Sequence, residues 1–171
     1  MRRLAPLALL SLAACTHVPV PVEMVVHPPP KLADCPGELR STEEIQGEWT
    51  VHERVHVVGG GVDESYQLVL QKTGPKLVLL GLTPFGAKAF SVTQIGEQTW
   101  PESYLGPIQP VPPLNVLRDV HRAHFRVVEE PALDPRAVTR DPEGVVHVKA
   151  ESCGYDTTLA PISANLIPQP R

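Results

Sequence analysis

The sequence predicts a mainly β domain of the α+β class, an antiparallel sheet with one helix late in the chain. Three observations carry this. Apolar and polar residues alternate with a period of two through the middle of the chain. Turn residues punctuate those runs, at Gly59-Gly60-Gly61, Thr83-Pro84-Phe85-Gly86 and Gly96-Glu97. Twenty prolines in 171 residues are too many for a helical bundle. The length fits one domain, and 42% hydrophobic with 20% charged residues is enough for one core.

The elements follow in order. Residues 38–47 hold a helical turn, with Ser41-Thr42-Glu43-Glu44 resembling a helix start. From residue 49 the period becomes two. Trp49, Val51, Val55 and Val57 share one face and His52, Arg54 and His56 the other, with Glu53 as the exception on the apolar face. The glycine run then turns the chain into a second strand at 66–70, making a hairpin. Residues 76–82 form a third strand, apolar on both faces, and 87–95 a fourth. Residues 98–100 follow the Gly96-Glu97 turn. Residues 101–113 are rich in proline, and Pro112-Pro113 suits the start of a helix over 114–125. Leu114, Leu117, Val120 and His124 lie along its apolar stripe, while Arg118, Asp119 and Arg122 are expected to face water. Residues 128–144 read as loop, 145–151 and 155–159 as two closing strands, and 164–171 as a tail. No internal repeat is visible.

The N-terminus supplies an address. Met1-Arg2-Arg3 precedes an apolar run of about 11 residues, where a membrane span needs roughly 20. This reads as an export signal. Its end, Leu12-Ala13-Ala14-Cys15, resembles the lipobox of bacterial lipoproteins, in which a diacylglyceryl group is attached to the cysteine and the signal is cut before it. Each buried methylene adds about 0.8 kcal/mol, so two or three acyl chains on Cys15 anchor the protein durably. Thr16 follows the cysteine where enteric lipoproteins of the inner membrane carry aspartate, and by that resemblance the outer membrane is favoured. The Val-Pro alternation and Pro28-Pro29-Pro30 prefer extended backbone. The expected organisation is a signal at 1–14, a lipidated proline-rich tether at 15–34, the domain at 35–163 and a tail at 164–171.

Without Arg2 and Arg3 the chain carries 13 basic residues against 19 acidic ones, a balance that argues against nucleic acid as a partner. Cys35 and Cys153 remain as a pair in an oxidising compartment. A disulfide between them is favoured over two separate thiols.

The order of strands and turns, followed by residues 114–125, carries a second resemblance. Thr83-Pro84-Phe85-Gly86 with Ala89-Phe90-Ser91-Val92 and Gly96, the helix residues 117–125 and the closing Tyr155–Leu159 strand resemble an uncharacterised domain-of-unknown-function family of bacterial lipoproteins in the LolA/LolB-like group. The resemblance covers roughly residues 47–160. It implies a strongly curved antiparallel sheet forming an incomplete barrel, with one or two covering helices. It also implies an apolar hollow for acyl chains or, from the setting of relatives beside polyene pathways, another amphiphile. Leu68, Leu70, Val78, Leu80, Phe90 and Val92 are the candidates to line that hollow, with a closed core as the alternative for each. Pro84 and Phe85 are the candidates for an apolar tip in contact with membrane.

No constellation asks for catalysis. His52 with His56 and His121 with His124 would hold zinc only if the two faces met, and there is no HExxH. Ser91 and Ser103 lack a GxSxG context, and the glycine run at 59–61 lacks the Lys-Ser/Thr of a phosphate loop. Glu129, Glu130 and Asp134 read as a solvated loop. The expectation is a non-enzymatic, periplasm-facing lipoprotein without metal or cofactor, binding or passing on a lipid, lipopeptide or polyene. The alternative is an assembly lipoprotein that binds another envelope protein.

Overall fold

The computed structural model describes residues 28–125 and 136–165. Eight strands form one antiparallel sheet: β1 (Trp49–Gly59), β2 (Val62–Thr73), β3 (Lys76–Leu82), β4 (Lys88–Ile95), β5 (Gln98–Ser103), β6 (Ala137–Arg140), β7 (Val146–Ala150) and β8 (Tyr155–Asn165). Their spatial order is β5-β4-β3-β2-β1-β8-β7-β6. The first five strands are a meander. The chain then passes through helix α1 (Pro113–His124) to the opposite edge, and β6, β7 and β8 return to pair with β1. The sheet is not closed into a barrel, since β5 and β6 are its two edges.

Helix α1 lies against β4 and β5 on one flank and against β7 on the other. In a flat sheet, β4 and β7 would stand roughly 24 Å apart. A helix is only about 10–12 Å across with its side chains. Contact with both flanks requires the sheet to curl around the helix, which occupies the trough.

The register decides which side chains enter that trough. Val51 pairs with Leu70, Leu70 with Leu79 and Leu79 with Val92, so one row of apolar residues runs across four strands. Leu68, Gly81 and Phe90 make the next row. Both rows pack with Val116, Leu117 and Val120 of α1. A Cβ at Gly81 would sit 2.4 Å from the Phe90 ring, so this position has room only for glycine.

The set expected to line a hollow therefore divides. Leu68, Leu70, Phe90 and Val92 face the trough. Val78 and Leu80 do not: they pair with Gln71 and Val69 on the outer face, and Leu77 and Leu79 take the inner places. A strand apolar on both faces has no alternation from which to read its inward side. Asp119 is a second correction, being fully buried rather than facing water. The segment read as loop at 128–144 contains β6, a four-residue strand too short to show a period. The last strand runs on to Asn165, past Pro161. That proline sits beside a register shift between His52 and Glu53, the kind of irregularity that accommodates a residue without an N–H.

Hairpin turns alternate between the two ends of a meander. The β1–β2 and β3–β4 turns thus share one end, together with the close of β5 and the start of α1. The N-terminal segment enters at this end, since Pro30 lies against Gly61. Residues 32–34, assigned above to the tether, pack onto the domain. The Leu32 N–H donates to the Pro110 carbonyl at 2.9 Å, and its side chain is buried beside Gly60. Asn115 of α1 brackets the strap, its Oδ1 accepting from the Cys35 N–H at 2.8 Å and its Nδ2 donating to the Ala33 carbonyl at 2.9 Å. A disulfide joins Cys35 to Cys153, with Cα atoms 5.7 Å apart at a sequence separation of 118.

Candidate functional site

Two regions carry chemistry. The first is a cleft of about 460 Å³ at the tether end. The strap residues Lys31 and Leu32 form one wall, Pro101 and Ser103 of β5 another, and Pro112 with Leu114 at the start of α1 a third. Proline fits N1 of a helix because the first N–H groups lack intrahelical partners, and it places apolar ring surface here. Gln109 lines the cleft, but its amide turns inward, with Nε2 donating to the Val111 carbonyl at 2.9 Å and to the Tyr66 hydroxyl at 3.5 Å. Burial pushes the Tyr66 phenol well above its ordinary range, with the Glu64 charge adding to the effect, so it stays neutral. Asp34, also at the cleft, forms an ion pair with Arg118 at 2.8 Å. The lining thus offers apolar contact with a few polar groups at the rim, an arrangement suited to a small apolar ligand segment.

The second region is polar and lies inside the fold. Asp119 of α1 accepts from Arg136 Nε at 2.6 Å, from Thr157 Oγ1 at 2.7 Å and from the Tyr155 hydroxyl at 3.2 Å. Arg136 Nη1 donates to the Pro36 carbonyl at 2.7 Å. One ion pair thereby joins the helix, β8 and the strap. Burial raises the Asp119 carboxyl to about 6, against the pull of the Arg136 charge and of its hydrogen bonds with Arg136, Thr157 and Tyr155. Burial also raises the Tyr155 phenol above its ordinary range, helped by the neighbouring Asp119 charge.

Further along the helix, His124 Nε2 lies 3.0 Å from Glu53 Oε1 and 3.1 Å from Oε2. This explains the carboxylate on the apolar face of β1. His121 Nδ1 accepts from the Arg40 N–H at 3.1 Å and its Nε2 donates to Gln94 Oε1 at 2.8 Å, so the ring is the neutral Nε2–H tautomer. Gln94 Nε2 in turn donates to the Arg40 and Gly96 carbonyls, both at 2.8 Å. These groups are buried and hydrogen-bonded to one another. They fasten the helix into the trough and present no reacting group to solvent.

The sequence-predicted site residues are thus dispersed. Leu68, Leu70, Phe90 and Val92 are at most 1% exposed, so no space open to water lies beside them and the trough is filled. Phe85 stands at the tip of the β3–β4 turn, 97% exposed, with Pro84 exposed beside it. His52 and His56 lie on the outer face and His121 and His124 within the trough, so the two pairs are on opposite sides of the sheet. Among the described residues no group of three or more His, Cys, Asp or Glu side chains is placed to hold a metal. Cys15, Glu129, Glu130 and Asp134 lie outside the described residues. Sequence reasoning missed the cleft, whose only local signal is the apolar, proline-rich run at 101–114. The chain matches no family model, and no curated protein matches it.

Proposed function

We propose that the chain is an envelope lipoprotein, anchored through Cys15 in the outer membrane, that binds the apolar part of an amphiphile in the cleft beside α1. The observation that carries this reading is that the cleft, the entering N-terminal segment and the exposed Phe85 all lie at one end of the sheet. A lipid on Cys15 would bring that end towards the bilayer, where Pro84 and Phe85 make contact with it. The ligand is an acyl chain or polyene, as part of a lipid or lipopeptide. Binding is passive, worth roughly 25 cal/mol for each Å² of apolar surface buried. The open antiparallel sheet with a helix in its trough also fits a LolA/LolB-like relation, with the ligand moved from the filled trough to its end.

The test is native mass spectrometry of the chain without residues 1–15, made in a bacterial periplasm, with extraction of bound lipid. A reproducible adduct of acyl or polyene mass is expected, lost when Leu114→Trp fills the cleft. Phe85→Asp is expected to keep the adduct and to lower sedimentation with phospholipid vesicles. A clean mass with no uptake of added fatty acid or lipopeptide would end the amphiphile reading. That result would favour the second one, an assembly lipoprotein holding another envelope protein, which the filled trough supports.

A further inference from the structure

Three of the eight aromatic residues are exposed, and all three lie at the β3–β5 corner of the sheet. Phe85 belongs to the tether end. Trp100 and Tyr104 differ from it in standing on the face of the sheet and not at the tip of a turn. They lie on the outer face along the edge strand, each 49% exposed, with the Tyr104 N–H extending the ladder to the Ala89 carbonyl at 2.9 Å. Trp100 pairs with Thr93 and Glu102 with Ser91, so these side chains share the face that points away from the trough and the cleft.

The ground between the two rings is polar and organised. Glu102 Oε2 accepts from the Tyr104 hydroxyl at 2.7 Å and from Ser91 Oγ at 3.2 Å. These two hydrogen bonds hold the Glu102 carboxyl below its ordinary range. Lys88 Nζ stands 5.6 Å from the Tyr104 ring centroid. The side chains are thereby ordered before any ligand arrives, which lowers the entropic cost of binding.

We propose that this outer face of β4 and β5 is a glycan-binding platform, on which a chain of β-linked pyranose rings stacks between Trp100 and Tyr104. Four residues along a strand set the Cα atoms of Trp100 and Tyr104 roughly 13 Å apart, and the Tyr104 hydroxyl reaches back to Glu102, which brings its ring closer to Trp100. The gap suits a short run of linked pyranoses, whose C–H faces fit flat apolar rings and whose equatorial hydroxyls fit hydrogen-bonding groups between them. The second carboxylate oxygen of Glu102 accepts from sugar hydroxyls, as does Ser91 Oγ, while Thr93 and Lys88 supply donors. A lipid surface fits poorly, because it would strip water from the Glu102 carboxylate and the Lys88 ammonium. The proposal is independent of the cleft and stands or falls without it.

Trp49 is buried and Trp100 exposed, and the sequence has two tryptophans, so acrylamide quenching of fluorescence reads Trp100 alone. The experiment takes the full chain in a zwitterionic detergent and titrates it with cellotetraose and with chitotetraose. Saturable protection of the quenchable emission by at least one tetrasaccharide is expected. Tyr104→Ala should weaken it about tenfold. Trp100→Ala should remove the response while the Trp49 emission reports an intact fold. Unprotected emission with both sugars at millimolar concentration, or an affinity unmoved by Tyr104→Ala, overturns the proposal and leaves this face to a protein partner.

Discussion

Asp119→Ala should destabilise the fold by about 3–5 kcal/mol, because it takes the Asp119 carboxylate away from the buried, charged Arg136 guanidinium. Urea unfolding followed by circular dichroism reads the loss. The wild-type pair is itself costly. With the folded carboxyl at about 6 against an ordinary 3.8, the native state binds more protons than the unfolded chain between those values. The contribution of Asp119 is therefore fully present below pH 3.8 and is lost as pH rises through 6, on the order of 3 kcal/mol. At neutral pH the ion pair is thus tolerated more than it is rewarded. Asp119→Leu combined with Arg136→Met should accordingly recover much of what the single change loses. A double variant no more stable than Asp119→Ala would show that the value of Arg136 lies in its other hydrogen bonds, among them those to the Pro36 and Cys35 carbonyls, and not in its charge balance with Asp119.

The same pair shows where sequence reasoning stopped. Asp119 lies among polar helix residues and reads as solvated, because Arg136, Tyr155 and Thr157 are 17 to 38 positions away and nothing local announces them. Glu53 was legible as an anomaly, since it breaks an otherwise regular alternation in β1, but its partner His124 was not. The valines and leucines of β1 and β2 declare their inward face through period two, so the central hairpin and its continuation into a meander could be read directly. Strand β3 could not be oriented: Leu77, Val78, Leu79 and Leu80 are interchangeable on paper, and only pairing with Leu70 and Val92 selects the odd positions. The cleft is drawn from the strap, β5, the turn at Gly106–Ile108 and the start of α1, so no single window of sequence contains it.

Loss of the Cys35–Cys153 disulfide should lower stability by up to about 4–5 kcal/mol, because the bridge closes a loop of more than a hundred residues in the unfolded chain. The folded state gives the effect an unusual shape. The strap is held without the bridge: Asn115 bonds the Cys35 N–H and the Ala33 carbonyl, Arg118 donates to the Cys35 carbonyl at 2.7 Å, and Arg136 grips Pro36. Reduction should consequently leave the native strap, and the cleft wall that it forms, in place. The penalty then falls on the unfolded side of the equilibrium, through a larger ensemble for the released chain. Urea unfolding of the Cys35→Ser/Cys153→Ser variant should show the lowered midpoint, while the circular dichroism and Trp49 emission of the folded protein stay as they were. Asn115→Ala in that background should then expose the strap, seen as faster amide exchange at residues 32–35. If the double serine variant alone already shows that faster exchange, the bridge is the clasp of the strap, and the hydrogen bonds of Asn115, Arg118 and Arg136 are too weak to seat it without the covalent bond.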